Sequence, residues 1–194
     1  MFILGAISLF IAGAFFVHPA PEYEIISGLF VILLALPSFS ALLRWIGPRK
    51  GFLILSIVTV IPFMVEALAV ITGFPYGNFR YSTSLGMMLL GRVPFSVAFA
   101  YPPVLIGAVT LACRFSSNRP IRTVLLSNVF LLLADLVIDP AAVHAGFWIW
   151  GESGDYYGVP LSNFLGWAMT GTLYSAMLLS LFDHSGSGEY SPPS

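Results

Sequence analysis

Residues 135–140 read Asp135-Leu-Val-Ile-Asp139-Pro140, and they close an apolar run that begins near Arg122. Carboxylates four residues apart lie one helical turn apart on the same face. The run around them is greasy enough to sit in a bilayer, where an ionised side chain is costly unless something pairs or uses it. The whole chain has the same character: of 194 residues, 58% are hydrophobic and 9% charged, and the mean hydropathy is +0.91. A soluble domain of this length needs no such apolar excess to build its core. The sequence therefore reads as an all-α, polytopic membrane bundle.

Apolar runs bounded by charges or Pro/Gly clusters predict about six helices, near residues 2–17, 25–43, 52–72, 94–113, 122–139 and 161–182. Each is roughly long enough to cross the hydrocarbon core. They form one transmembrane domain over residues 1–184, and the Gly, Ser and Pro content of residues 185–194 predicts a disordered tail. The first run has no basic stretch before it and no small-residue cleavage site after it, so a retained span is expected rather than a signal peptide. Arg44, Arg49 and Lys50 fall in the second connection and Arg114, Arg119 and Arg122 in the fourth, while Glu22, Glu24, Glu152 and Asp155 fall in the first and fifth. The positive-inside bias then predicts a multi-pass protein of the cell membrane with both termini cytoplasmic.

The net charge of −1, with dispersed basic residues, gives no footprint for nucleic acid. Cys113 is the only cysteine, which excludes an internal disulfide. His18, His144 and His184 have no metal-ligand spacing, and no Gly-rich phosphate loop or nucleophile with a partner base is present. No metal site and no cofactor are expected.

Depth along the helices groups the remaining polar residues. Glu66 and Asp135 each lie about 13–14 residues into outward-running helices, roughly 20 Å from the cytoplasmic edge. Tyr101 reaches the same layer from the outer side. Asn163, Trp167, Thr170 and Tyr174 share one face of the last helix, and Asn128, Asp135 and Asp139 share one face of the helix before it. Ser162, Gly166 and Thr170 form a small-residue row of the kind that lets helices approach closely in lipid. The connections 73–91 and 141–160 are rich in Gly, Pro and aromatic residues and are expected to cap the outer mouth.

Glu66, Asp135 and Asp139 are the candidate catalytic acids, with Asn163 as an orienting amide. A group of desolvated carboxyls supplies a neutral acid beside an ionised base. The alternative is that Asp139 ends its helix before Pro140 at the water interface while Glu66 and Asp135 pair with Arg80 or Arg92. An Asp-xxx-Asp pair could also hold magnesium and a diphosphate, but that chemistry needs a second acidic motif. Phe79, Tyr81, Trp148, Trp150, Tyr156, Tyr157 and Trp167 read as an interfacial aromatic belt. Tyr101, Trp148, Trp150, Tyr157 and Trp167 are also candidates for lining an apolar tunnel, where ring faces stabilise positive charge. Arg80 and Arg92 break the charge bias and are candidates for a role beside the acids.

These residues carry a resemblance. Glu66, then Gly73-Phe-Pro-Tyr-Gly-Asn-Phe-Arg80-Tyr81, Gly91-Arg-Val-Pro94, Asp135-xxx-Asp139-Pro140, Trp148-Ile-Trp150 and Tyr156-Tyr-Gly-Val-Pro-Leu-Ser-Asn163-Phe-Leu-Gly-Trp167 occur in this order. Together they resemble the membrane carotenoid-biosynthesis proteins typified by the bisanhydrobacterioruberin hydratases and related bacterial carotenoid 1,2-hydratases. The resemblance implies addition of water across the terminal double bond of an acyclic carotenoid or other polyisoprenoid lipid, with membrane lipids as the other partners. Two rival readings stand beside it: a lycopene-cyclase-like enzyme, which quenches the same cation by ring closure, and a substrate-binding subunit of a vitamin-uptake transporter.

Overall fold

A computed structural model gives the structure of the protein and describes residues 24–117 and 119–183. Five long helices dominate: α1 (Glu24–Ile46), α2 (Pro48–Thr72), α3 (Val97–Ser116), α4 (Pro120–His144) and α5 (Leu161–Asp183). All five are long and apolar enough to cross a membrane. They match five of the six predicted spans; the first, 2–17, lies outside the described residues, as does the tail 185–194.

Leu42 of α1, Ile54 and Val58 of α2, Leu105 and Val109 of α3, Leu131 of α4 and Leu178 and Phe182 of α5 form the buried core. The helices alternate in direction, so these positions occupy one half of the bundle, away from the connections 73–96 and 145–160. The opposite half holds the buried acids Asp135 and Asp139 and the amide of Asn163. Apolar side chains such as Leu29, Leu33, Leu53, Leu68, Leu125 and Leu173 point outward and are exposed, as they are on a bundle solvated by lipid.

The expected helix stop before Pro140 is corrected, since α4 continues to His144. A proline removes the N–H that would bond the carbonyl four residues earlier, here that of Leu136. Tyr156 Oη donates to that carbonyl oxygen at 3.1 Å, and the freed acceptor is satisfied from outside the helix.

The two long connections are joined by strand pairing that helical and turn signals do not predict. Strand β1 (Phe79–Tyr81) pairs antiparallel with β4 (Trp148–Trp150), setting Phe79 opposite Trp150 and Tyr81 opposite Trp148. Between them a 3-10 turn (Thr83–Leu85) precedes a second pair, β2 (Met88–Leu89) with β3 (Val93–Pro94). Alternation along β1 and β4 puts Phe79, Tyr81, Trp148 and Trp150 on one half-buried face, and Arg80 and Ile149 on the exposed one.

The small-residue row on α5 receives a loop rather than another helix. A Cβ at Gly166 would fall 2.5 Å from Tyr76 Cδ1 and 2.9 Å from the Pro75 carbonyl oxygen, and the nearest neighbour of Gly77 is Ser162 Oγ. Close helix approach occurs instead at Gly171, where a Cβ would meet Asn128 Oδ1 at 2.7 Å. Asn128 Nδ2 completes that contact by donating to the Ala168 carbonyl at 2.9 Å and to Thr172 Oγ1 at 2.8 Å.

Candidate active site

Asp135 and Asp139 face inward from α4 and are 0% and 3% exposed. Asn163, in the first turn of α5, is also 3% exposed. Its Nδ2 donates to Asp135 Oδ2 at 3.1 Å and to Asp139 Oδ2 at 2.5 Å. The spacing of the acids makes this possible, because one amide reaches both carboxyls only when they lie a turn apart on a single face. The two carboxyls thus share one donor, and two buried acids so placed can hold one proton between them.

Glu66 approaches from α2 and is within electrostatic reach of Asp139. Tyr81 Oη donates to Glu66 Oε1 at 2.6 Å. Burial first, and the adjacent Glu66 charge second, hold the Tyr81 phenol well above its usual range, so it keeps its proton and remains a donor. The Tyr81 ring is fixed by edge contacts with Trp148 at 5.9 Å and Phe79 at 5.5 Å, and Phe79 in turn meets Trp150 at 5.1 Å. The aromatic ribbon thus holds a hydroxyl over a carboxyl.

Tyr76, on the loop between α2 and β1, is buried and donates to Thr170 Oγ1 at 3.2 Å. Desolvation and the Glu66 charge likewise push its phenol upward. Below this level, the Tyr101 ring on α3 lies 5.4 Å from Trp167 and 5.4 Å from Tyr174, both on α5. Of the three side chains expected at a common depth, Tyr101 is within electrostatic reach of both Asp135 and Glu66.

Other candidates are placed elsewhere. Arg80 lies on the exposed face of the ribbon, and the hydroxyl of the next residue, not the guanidinium, meets Glu66. Arg92 is exposed in the turn between β2 and β3. Tyr157 is 74% exposed and packs edge-on against Tyr156. Trp148 and Trp150 act on the layer through Tyr81 and Phe79. Among the described residues, no three of His, Cys, Asp and Glu converge as a metal-ligand group.

Sequence reasoning missed Tyr76 and assigned Tyr81 to an interfacial belt. The alternation Phe79-Arg80-Tyr81 was the available signal for Tyr81, since a strand there sends the arginine and the tyrosine to opposite faces. Nothing local marks Tyr76, whose place follows from the loop packing on Gly166.

In chemical terms, the layer holds a carboxyl pair bridged by a donor amide, and a separate carboxyl held by a phenol. Acid and base functions can then reside on different groups of one buried site.

A model of the carotenoid biosynthesis protein family matches residues 24–191. The chain is 35% identical over 191 residues to the bisanhydrobacterioruberin hydratase of Haloarcula japonica, which covers 95% of this chain. It spans 64% of the length of that relative. No solved structure matches. The chain belongs to the carotenoid biosynthesis protein family.

Proposed function

From that membership, we propose that this protein is a membrane hydratase that adds water to the terminal carbon–carbon double bond of an acyclic carotenoid, without a cofactor. The observation that carries the reading is the buried Asp135–Asp139–Asn163 group beside the Glu66–Tyr81 pair, acid and base equipment inside a lipid-facing bundle. A hydrocarbon substrate enters such a bundle from the membrane itself.

Glu66 is assigned as the acid. Tyr81 donates to one of its oxygens, which leaves the other to carry the proton delivered to the chain CH carbon of the terminal double bond. That transfer converts the double bond to a tertiary cation and leaves Glu66 ionised. The rings of Tyr101 and Trp167 face the same layer and would stabilise the positive charge. The Asp135–Asp139 pair, with one proton and one negative charge and with Asn163 as donor, is the base. Water adds to the cation through its oxygen and gives one proton to the pair. Transfer of that proton back to Glu66 restores the starting state, so the sum is one water added and a tertiary alcohol formed.

The test is co-expression with an acyclic carotenoid pathway in a bacterial host grown in oxygen-18 water, followed by mass analysis of the pigments. The reading predicts pigment heavier by one water that carries the label. Pigment of unchanged mass but altered retention would replace it with cyclisation, and unchanged pigment would remove the carotenoid assignment.

A further inference from the structure

Three buried polar atoms in this layer have no hydrogen-bond partner among the described residues: Asp135 Oδ1, Tyr101 Oη and Tyr174 Oη. They come from three different helices, α4, α3 and α5. Tyr101 and Tyr174 are in edge contact at 5.4 Å, and Tyr101 is within electrostatic reach of Asp135. Asp135 is 0% exposed and Tyr174 5% exposed. A buried polar atom left unpaired has lost its water without gaining a partner. Hydrocarbon offers it nothing, so a membrane bundle keeps such atoms together only where a polar guest meets them.

Their chemistry describes that guest. Two phenols can each donate a hydrogen bond, and a carboxylate oxygen can accept one. One oxygen bearing a hydrogen carries the matching groups, a lone pair that accepts from a phenol and a hydrogen for the carboxylate. Both water and an alcohol meet this description. The other unpaired atoms differ: Ser27 Oγ and Ser175 Oγ are single helix hydroxyls, Trp150 Nε1 is an indole donor on β4, and Asn128 Oδ1 belongs to the α4–α5 contact at Gly171.

We infer that Asp135 Oδ1, Tyr101 Oη and Tyr174 Oη form the site that holds the nucleophilic water of the reaction. The inference rests on the hydration reading and deepens it. With one phenol donating to the water oxygen and the other accepting one of its hydrogens, the second hydrogen points at Asp135, the base that takes it, and the second lone pair is left to attack the cation. The two tyrosines are then positioning residues for water, separate from the proton delivery at Glu66.

This separation can be measured. Once the cation forms, it has a second exit: the Glu66 carboxylate can take a proton from a methyl group of the cation. That step gives the isomer with a terminal methylene; in deuterium oxide, deuteration of the methylene by Glu66 followed by proton loss from the chain carbon returns substrate with deuterium in a terminal methyl. Tyr101→Phe, Tyr174→Phe and the double variant keep the rings and remove only the hydroxyls. Each would be incubated in membranes with acyclic carotenoid in deuterium oxide, and hydrated product and deuterium in recovered substrate would be measured together. The inference predicts hydration reduced at least about tenfold in the double variant while exchange persists, so that the ratio of exchange to hydration rises. Parallel loss of both, or an unchanged ratio, would overturn it. A wild-type protein that yields neither label would overturn the hydration reading itself. Adding the tertiary alcohol product separates the two guests: stronger inhibition of the wild type than of the double variant assigns the site to the alcohol and overturns the water assignment.

Discussion

Tyr81 donates a 2.6 Å hydrogen bond to Glu66 from a two-stranded ribbon, while its neighbour Arg80 faces the opposite, exposed side. A strand's alternation thus decides which of two adjacent residues reaches the acid. A hydrogen bond to a charged group contributes about 1.5–3 kcal/mol, and Glu66 becomes charged as it gives up its proton. Tyr81→Phe keeps the ring packing with Trp148 and Phe79 and removes that bond. Hydration should fall about tenfold to a hundredfold, whereas Arg80→Ala should stay within about twofold of wild type. Initial rates at equal membrane protein check both.

Among the described residues, Asn163 is the side chain that bridges both aspartates. Asn163→Ala leaves two buried carboxyls without their amide donor, at a cost of about 1–3 kcal/mol. The detergent-solubilised variant should show a lower Tm, and hydration should be lost. Asn163→Asp adds a third carboxyl and should be the less stable of the two. Thermal unfolding followed by circular dichroism would check the order.

Gly166 and Gly107 provide a matched pair. A methyl at Gly166 would collide with the Tyr76 ring and the Pro75 carbonyl, whereas a Cβ at Gly107 meets nothing within 4 Å. Gly166→Ala should therefore lower both Tm and hydration by displacing the 73–78 loop. Gly107→Ala should leave both unchanged or raise Tm slightly, because alanine favours the helix over glycine.

Tyr156 takes up the Leu136 carbonyl that Pro140 leaves free, one residue beyond Asp139. Tyr156→Phe should lower Tm modestly, by an amount corresponding to about 1 kcal/mol. Pro140→Ala in the same background restores the missing N–H and should recover that loss. Failure of the second change to rescue the first would separate the tyrosine from the proline.

Much of this arrangement was legible in the sequence because its signals are local. Long apolar runs mark α1 to α5, and counting residues along them places Glu66, Asp135 and Tyr101 at one depth. The one-turn spacing of Asp135 and Asp139 marks their shared face, and Asn163 falls at the same end of the next helix. What was not legible depends on pairing between distant segments. No periodicity announces that Phe79–Tyr81 pairs with Trp148–Trp150, so Tyr81 could not be told from a belt residue or preferred over Arg80. The row Ser162, Gly166, Thr170 advertises close packing without saying that a loop fills it. Pro140 signals a helix end and is overruled by a hydroxyl from another segment.

The most direct measurement compares wild type with Asp135→Asn under acyclic carotenoid co-expression in oxygen-18 water, at matched levels of membrane-inserted protein. Asparagine keeps the shape of the side chain and removes the base. The wild type should yield pigment carrying one labelled water, and the variant should yield none. Labelled alcohol formed by Asp135→Asn at the wild-type rate would contradict the assignment of the buried aspartate pair as the group that captures water.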